Sequence, residues 1–151
     1  SAEANSVYQA DVVKAALEAK GVNVSIYTFA DSNDVATVTQ TACAENDALY
    51  IPTDNTAASC AEAINNVAEP AGVPIIAGEE GICKGCGIAT LSIDYYELGR
   101  TTGAMAAKIL TGESNVSEMP IEYYQNPVKK YEAARCEALG ITVPSDYVAV
   151  G

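Results

Sequence analysis

A chain of 151 residues that is 49% hydrophobic can form one domain with a core of its own. Twenty acidic against eight basic residues give a formal charge of −12, which argues against nucleic acid as a partner, because a phosphate-binding surface needs clustered Lys and Arg. Histidine is absent, which excludes Ser-His-Asp and Cys-His catalysis and lowers the expectation of an enzyme or of a bound metal or cofactor.

In chain order, residues 6–20 read as a helix with Val12, Val13, Ala16 and Leu17 as its apolar stripe, Asn5 or Ser6 at its start and Gly21 just past its end. Val22 to Phe29 alternates and predicts a strand. The polar group Asp31 to Asp34 marks a turn with a ready cap, and a helix carrying Val35, Val38 and Ala42 on one side follows. Asp47 to Ile51 predicts a strand, Ala57 to Ala68 a helix, and Pro74 to Ala77 another strand. Gly81 to Gly87 reads as a glycine-rich loop leading into a strand over Ile88 to Ile93. Tyr95 to Leu110 reads as a helix stopped at Gly112, and Met119 to Tyr124 as a short extended run. Pro127 is placed at the first position of a last helix that reaches Leu139, stopped by Gly140, with an extended or loop tail over Ile141 to Val150.

Strands and helices alternating at short spacing predict an α/β fold, a doubly wound and mostly parallel sheet with helices on both faces, as a single domain over 1–151. The chain opens on a helix where such an array normally opens on a strand. Two readings follow: a sheet that starts at Val22, or a piece whose first strand lies ahead of Ser1. The second is the expectation carried forward.

Three apolar runs end in polar clusters, at Ala48-Leu-Tyr-Ile-Pro-Thr-Asp-Asn-Thr56, Val73-Pro-Ile-Ile-Ala-Gly-Glu-Glu80 and Ala89-Thr-Leu-Ser-Ile-Asp-Tyr95. In open α/β sheets ligands sit outside the carboxyl ends of the strands, so these clusters predict one shared binding rim. Thr53, Asn55 and Thr56 offer hydroxyl and amide groups beside a helix start, a cradle for a carboxylate. Asp54, Glu79, Glu80 and Asp94 offer anions for an ammonium group, and Tyr95 an aromatic surface. Each also has a plainer role: Asp54, Asn55 and Asp94 as helix caps, Glu79 and Glu80 as a solvated turn, Tyr95 as a hinge-facing residue.

Five cysteines leave at least one unpaired in a monomer. Cys83-Lys-Gly-Cys86 has CxxC spacing, which is open to loop thiols, a small disulfide, a metal site or redox work. A lone CxxC lacks the second ligand pair of a zinc site. Cys43, Cys60 and Cys136 sit in helical patterns among alanines, where small apolar packing is expected.

The series Asn5-Ser-Val-Tyr-Gln9, Ser32-Asn-Asp34, Tyr50-Ile-Pro-Thr-Asp-Asn-Thr56, Gly78-Glu-Glu-Gly81 and Ile93-Asp-Tyr-Tyr-Glu-Leu-Gly99, followed by Gly103-Ala-Met-Ala-Ala-Lys-Ile-Leu110, resembles the extracytoplasmic substrate-binding proteins of ABC transporters. The resemblance is to the type I periplasmic-binding-protein class, in the subfamily that binds tryptophan and related aromatic amino acids, and it runs over nearly the whole chain. It implies a two-lobed protein of about twice this length with the ligand held between lobes, this chain being the second lobe. It also implies a membrane permease as partner, an extracytoplasmic setting (periplasmic or lipid-anchored), Asn5 and Ser6 as contact residues, and a helix over 95–110 that packs on the other lobe. Without that lobe the chain is expected to self-associate or fold the helix onto itself. The family pattern has no place for Cys83 and Cys86. A sugar- or nucleobase-binding relative, and a redox or metal module on the two cysteines, are the competing functions.

Overall fold

The computed structural model describes residues 3–151. Helix α1 (Ala4–Glu18) runs to a left-handed Gly21, and α2 (Val35–Glu45) follows the polar turn. Strand β1 (Leu49–Ile51) leads into α3 (Asn55–Ser59) and α4 (Ala61–Ala71), then β2 (Ile75–Ala77), α5 (Glu80–Cys86), β3 (Ala89–Ser92) and α6 (Tyr95–Leu110). Strand β4 (Val128–Tyr131), α7 (Ala133–Ala138) and β5 (Val148–Ala149) complete the chain.

The five strands pair in sequence order, β1-β2-β3-β4-β5. β1, β2 and β3 are parallel, with Leu49 opposite Ile75 and Ala77 opposite Thr90. β4 runs antiparallel to β3, with Thr90 opposite Lys130, and β5 is parallel to β4. The sheet is thus mixed and mostly parallel, the α/β class that the alternation predicts.

The core lies on one face. Ile75 and Ala77 of β2 pack with Ala57, Ala61, Ile64 and Ala68 of α3 and α4, Ile82, Cys83 and Cys86 of α5, and Val35 of α2. Helix α4 packs against both α2 and α5 in one layer. Period-two alternation puts Ile76 and Leu91 on the opposite face, where they are 41% and 58% exposed. The coverage expected on both faces is therefore absent at these two strands among the described residues.

Four local expectations are corrected. Residues 22–29 form no strand, because no ladder partner lies beside them among the described residues; Val22 and Ile26 are about half exposed. The expected helix over 57–68 starts earlier, at Asn55, and is broken at Cys60, whose φ of −108° and ψ of 12° leave the helical region. The cysteine segment is helix α5 and not a loop, because Glu79 caps its start by accepting from the N–H groups of Gly81 and Ile82. The helix expected from Pro127 to Leu139 is β4 followed by the short α7. Val128 to Tyr131 find a ladder on β3, and Glu132 caps Ala134 and Arg135 at the later start. The tail, expected as extended or loop, contributes β5.

Arg135 of α7 ties the last helix to the core. Its guanidinium donates to Asn65 Oδ1 at 2.7 Å and to the carbonyls of Cys83, Gly87, Lys84 and Gly85 at 2.9–3.1 Å. The Lys84 and Gly85 carbonyls lie in the last turn of α5, where donors within the helix run out, while that of Cys83 also accepts from Gly87 N–H, so one side chain gathers the end of the helix.

Candidate functional site

Parallel pairing puts the carboxyl ends of β1, β2 and β3 on one edge of the sheet. The segments that follow them carry Thr53 and Asp54, Glu79 and Glu80, and Asp94 and Tyr95. Three separated polar clusters therefore share one rim, as the sequence pattern predicts.

The start of α1 is fastened to that rim. Asn5 Nδ2 donates to the Thr53 carbonyl at 2.7 Å, and the Ser6 hydroxyl donates to Asp54 Oδ2 at 2.7 Å. Gln9 Oε1 accepts from Thr53 N–H at 2.8 Å. Glu3 accepts from the Asn55 N–H at 3.1 Å and from its side-chain amide at 3.0 Å. Between the first two loops the approach is so close that a Cβ on Gly78 would stand 2.6 Å from the Thr53 nitrogen. Thr53 Oγ1 also donates to the Gly78 carbonyl at 3.3 Å.

This geometry sorts the candidates. Asp54 is 3% exposed and uses Oδ1 to accept from Ala57 N–H at 2.9 Å, so it is a buried cap joined to Ser6 and not an open anion for an ammonium group. Glu79 caps α5, and Asp94 caps α6 through the N–H groups of Tyr96 and Glu97. Glu80 faces Lys130 Nζ at 2.6 Å, which neutralises it. Asn5 and Asn55 are exposed, Thr53 and Thr56 half-buried, and Tyr95 is 56% exposed at the start of α6.

Glu3, Gln9 and Lys130 were not anticipated. Gln9 lies four residues after Asn5, a helical spacing that puts both on the face meeting Thr53. Lys130 had no comparable signal, since its partner is 50 residues away on another element.

The cysteines bear on the competing chemistry. All five stand as free thiols in the structure, with Cys83, Cys86 and Cys136 buried. Burial pushes the Cys83 thiol up to about 12 and the Cys86 thiol up to about 11, against the opposing pull of the Arg135 charge. A redox nucleophile needs the opposite shift, towards thiolate at neutral pH. Among the described residues no group of three or more His, Cys, Asp or Glu side chains is placed to hold a metal ion.

The family model described as ABC transporter substrate binding protein matches residues 1–149. The chain belongs to this family. A tyrosine-binding protein of Clostridioides difficile (strain R20291) is 31% identical over 121 residues, which are 80% of this chain and 35% of that protein. Among solved structures, a ligand-free, open substrate-binding protein with adhesive properties from Clostridium difficile is 32% identical, with a TM-score of 0.76 over 100% of this chain and 52% of that one. An ABC domain from Streptococcus pneumonia in complex with L-Trp is 27% identical, with a TM-score of 0.87 over 96% of this chain and 49% of that one. A conserved domain protein from Vibrio cholerae matches at 27% identity and a TM-score of 0.87, over 97% of this chain and 51% of that one. The chain spans about half the length of these solved relatives.

Proposed function

We propose that this family member binds a small solute, an amino acid and aromatic in preference, as one lobe of the solute-capturing component of an ABC importer. The observation that carries the reading is the convergence of the three loops after β1, β2 and β3 with the start of α1 on one rim. Relatives described as tyrosine-binding and as complexed with L-Trp supply the ligand class. Glu3 supplies a chemical indication: its carboxylate accepts from the Asn55 N–H and side-chain amide together, as a ligand carboxylate would. Thr53 and Thr56 stand beside it, and Tyr95 offers a ring at the same rim. The protein acts as a binder and not a catalyst, outside the cytoplasm, held there in the periplasm or by a lipid anchor and delivering its ligand to a membrane permease.

In this reading a second lobe closes the cleft by a hinge motion and supplies the other contacts. The half-chain alone should therefore bind weakly. Calorimetric titration of tryptophan, tyrosine and phenylalanine into this chain and into a two-lobed protein containing it tests the reading. Micromolar or tighter binding by the two-lobed form and at least ~100-fold weaker binding by the half-chain is expected, since roughly half of the contacts are lost. No response of the two-lobed form to any of the three would discard it.

A further inference from the structure

Four helices open on an acidic residue whose side chain caps them: Asp54 for α3, Glu79 for α5, Asp94 for α6 and Glu132 for α7. Glu3 opens α1 and makes no such bond to its own helix. Its carboxylate reaches across to the rim instead, to a residue 52 positions further along the chain. Asn55 N–H donates to Oε1 at 3.1 Å and to Oε2 at 3.3 Å, and Asn55 Nδ2 donates to Oε2 at 3.0 Å. A carboxylate is thus already seated on the Asn55 donors, at the rim where the amino-acid reading would seat one from a ligand.

The attachment of α1 does not depend on that contact. Ser6 and Asp54 are bonded at 2.7 Å and are 4% and 3% exposed, while Asn5 and Gln9 hold the carbonyl and the N–H of Thr53. Breaking the buried pair would strand two polar groups away from water, which is costly. Glu3 is half-buried and Asn55 is exposed, so there water or another acceptor can replace the bonds as they break. The Glu3 side chain can therefore swing off Asn55 while α1 stays fastened to the rim.

We propose that Glu3 is a tethered competitor for the ligand's carboxylate, an autoinhibitory contact that the ligand displaces from Asn55. The inference rests on the amino-acid reading of the rim. Two carboxylates cannot share these donors, because like charges so close together repel. Exchanging one carboxylate for another leaves the count of charge-assisted bonds at Asn55 unchanged, so the exchange itself contributes little to binding. The apparent affinity is then lowered by the fraction of molecules in which Asn55 is open. Solutes with no carboxylate escape this competition.

Two measurements on Glu3→Ala test it. In the isotope-labelled chain, the backbone and side-chain amide signals of Asn55 are followed by NMR as sodium acetate is added. The variant should respond at acetate concentrations at least ~3-fold lower than the native chain, its signals moving towards the native positions. Glu3→Gln, which keeps the length of the side chain and loses its charge, should shift the response the same way. Equal response in native chain and variants, or none in the variants, would overturn the competition. In a two-lobed protein containing the chain, calorimetry should find tryptophan bound at least ~3-fold more tightly by Glu3→Ala. Tryptophanamide, which keeps ring and ammonium without a carboxylate, should show no such gain. Equal gains for both solutes, or none for tryptophan, would also overturn it. If acetate competes as expected but neither two-lobed form binds an amino acid, the ligand reading falls and the competition of Glu3 with carboxylates is upheld.

Discussion

At the scale of single residues, carboxylates at the rim are caps before they are anything else. Asp54 holds Ala57 N–H with one oxygen and the Ser6 hydroxyl with the other, inside a site 3% exposed. Asp54→Ala removes the cap and strands a buried hydroxyl, so a loss of about 2–3 kcal/mol is expected, measured by urea unfolding followed by circular dichroism. The cysteines give a pH dependence of definite sign. Cys83 is fully buried, and its thiol is held up at about 12 against an ordinary 9.0. The unfolded chain releases that proton first as pH rises, so the contribution of Cys83 to stability is complete below pH 9 and falls between pH 9 and about 12. Alkylation of Cys83 at pH 8 should accordingly be negligible in the folded chain and prompt in guanidinium, as peptide mapping after iodoacetamide would show.

At the scale of elements, helix termini decide what each segment becomes. Glu79 starts α5 and Arg135 gathers its end, which is why a stretch holding Gly81 and Gly85 is helical up to Cys86 despite its composition. Arg135→Lys keeps the charge but loses the fan of donors, so a loss of about 2 kcal/mol is expected in thermal or urea unfolding. α6 behaves differently. None of its 16 residues is buried, whereas α4 buries Ala61, Ile64 and Ala68. In the isolated chain, α6 amides should exchange far faster than those of α4. In the two-lobed form proposed above, α6 should be slowed selectively, which hydrogen exchange on both forms would reveal.

At the scale of the whole molecule, a helical layer covers one face of a five-stranded sheet, while Ile76 and Leu91 face outward on the other. Hydrophobic periodicity was enough to read β1, β2, β3, α2 and α6, because each keeps its period over its own length. It failed at 22–29 and 127–139 for one reason. Whether an alternating or apolar segment becomes a strand depends on a neighbour offering a ladder, and β3 offers one to Val128–Tyr131, while nothing described does so for 22–29. The rim itself was legible, since each parallel strand ends in its own polar cluster. The pairings of Ser6 with Asp54 and Glu80 with Lys130 were not, since they join residues about 50 apart.

The amino-acid order alone determined the α/β class, the family and the residues gathered at the rim, because these are carried by local period and short motifs. Only the tertiary structure decided which rim groups are taken up in capping and ion pairing, and which edge and face stay uncovered. Those outcomes depend on what distant segments bring alongside, and local sequence holds no record of its neighbours in space.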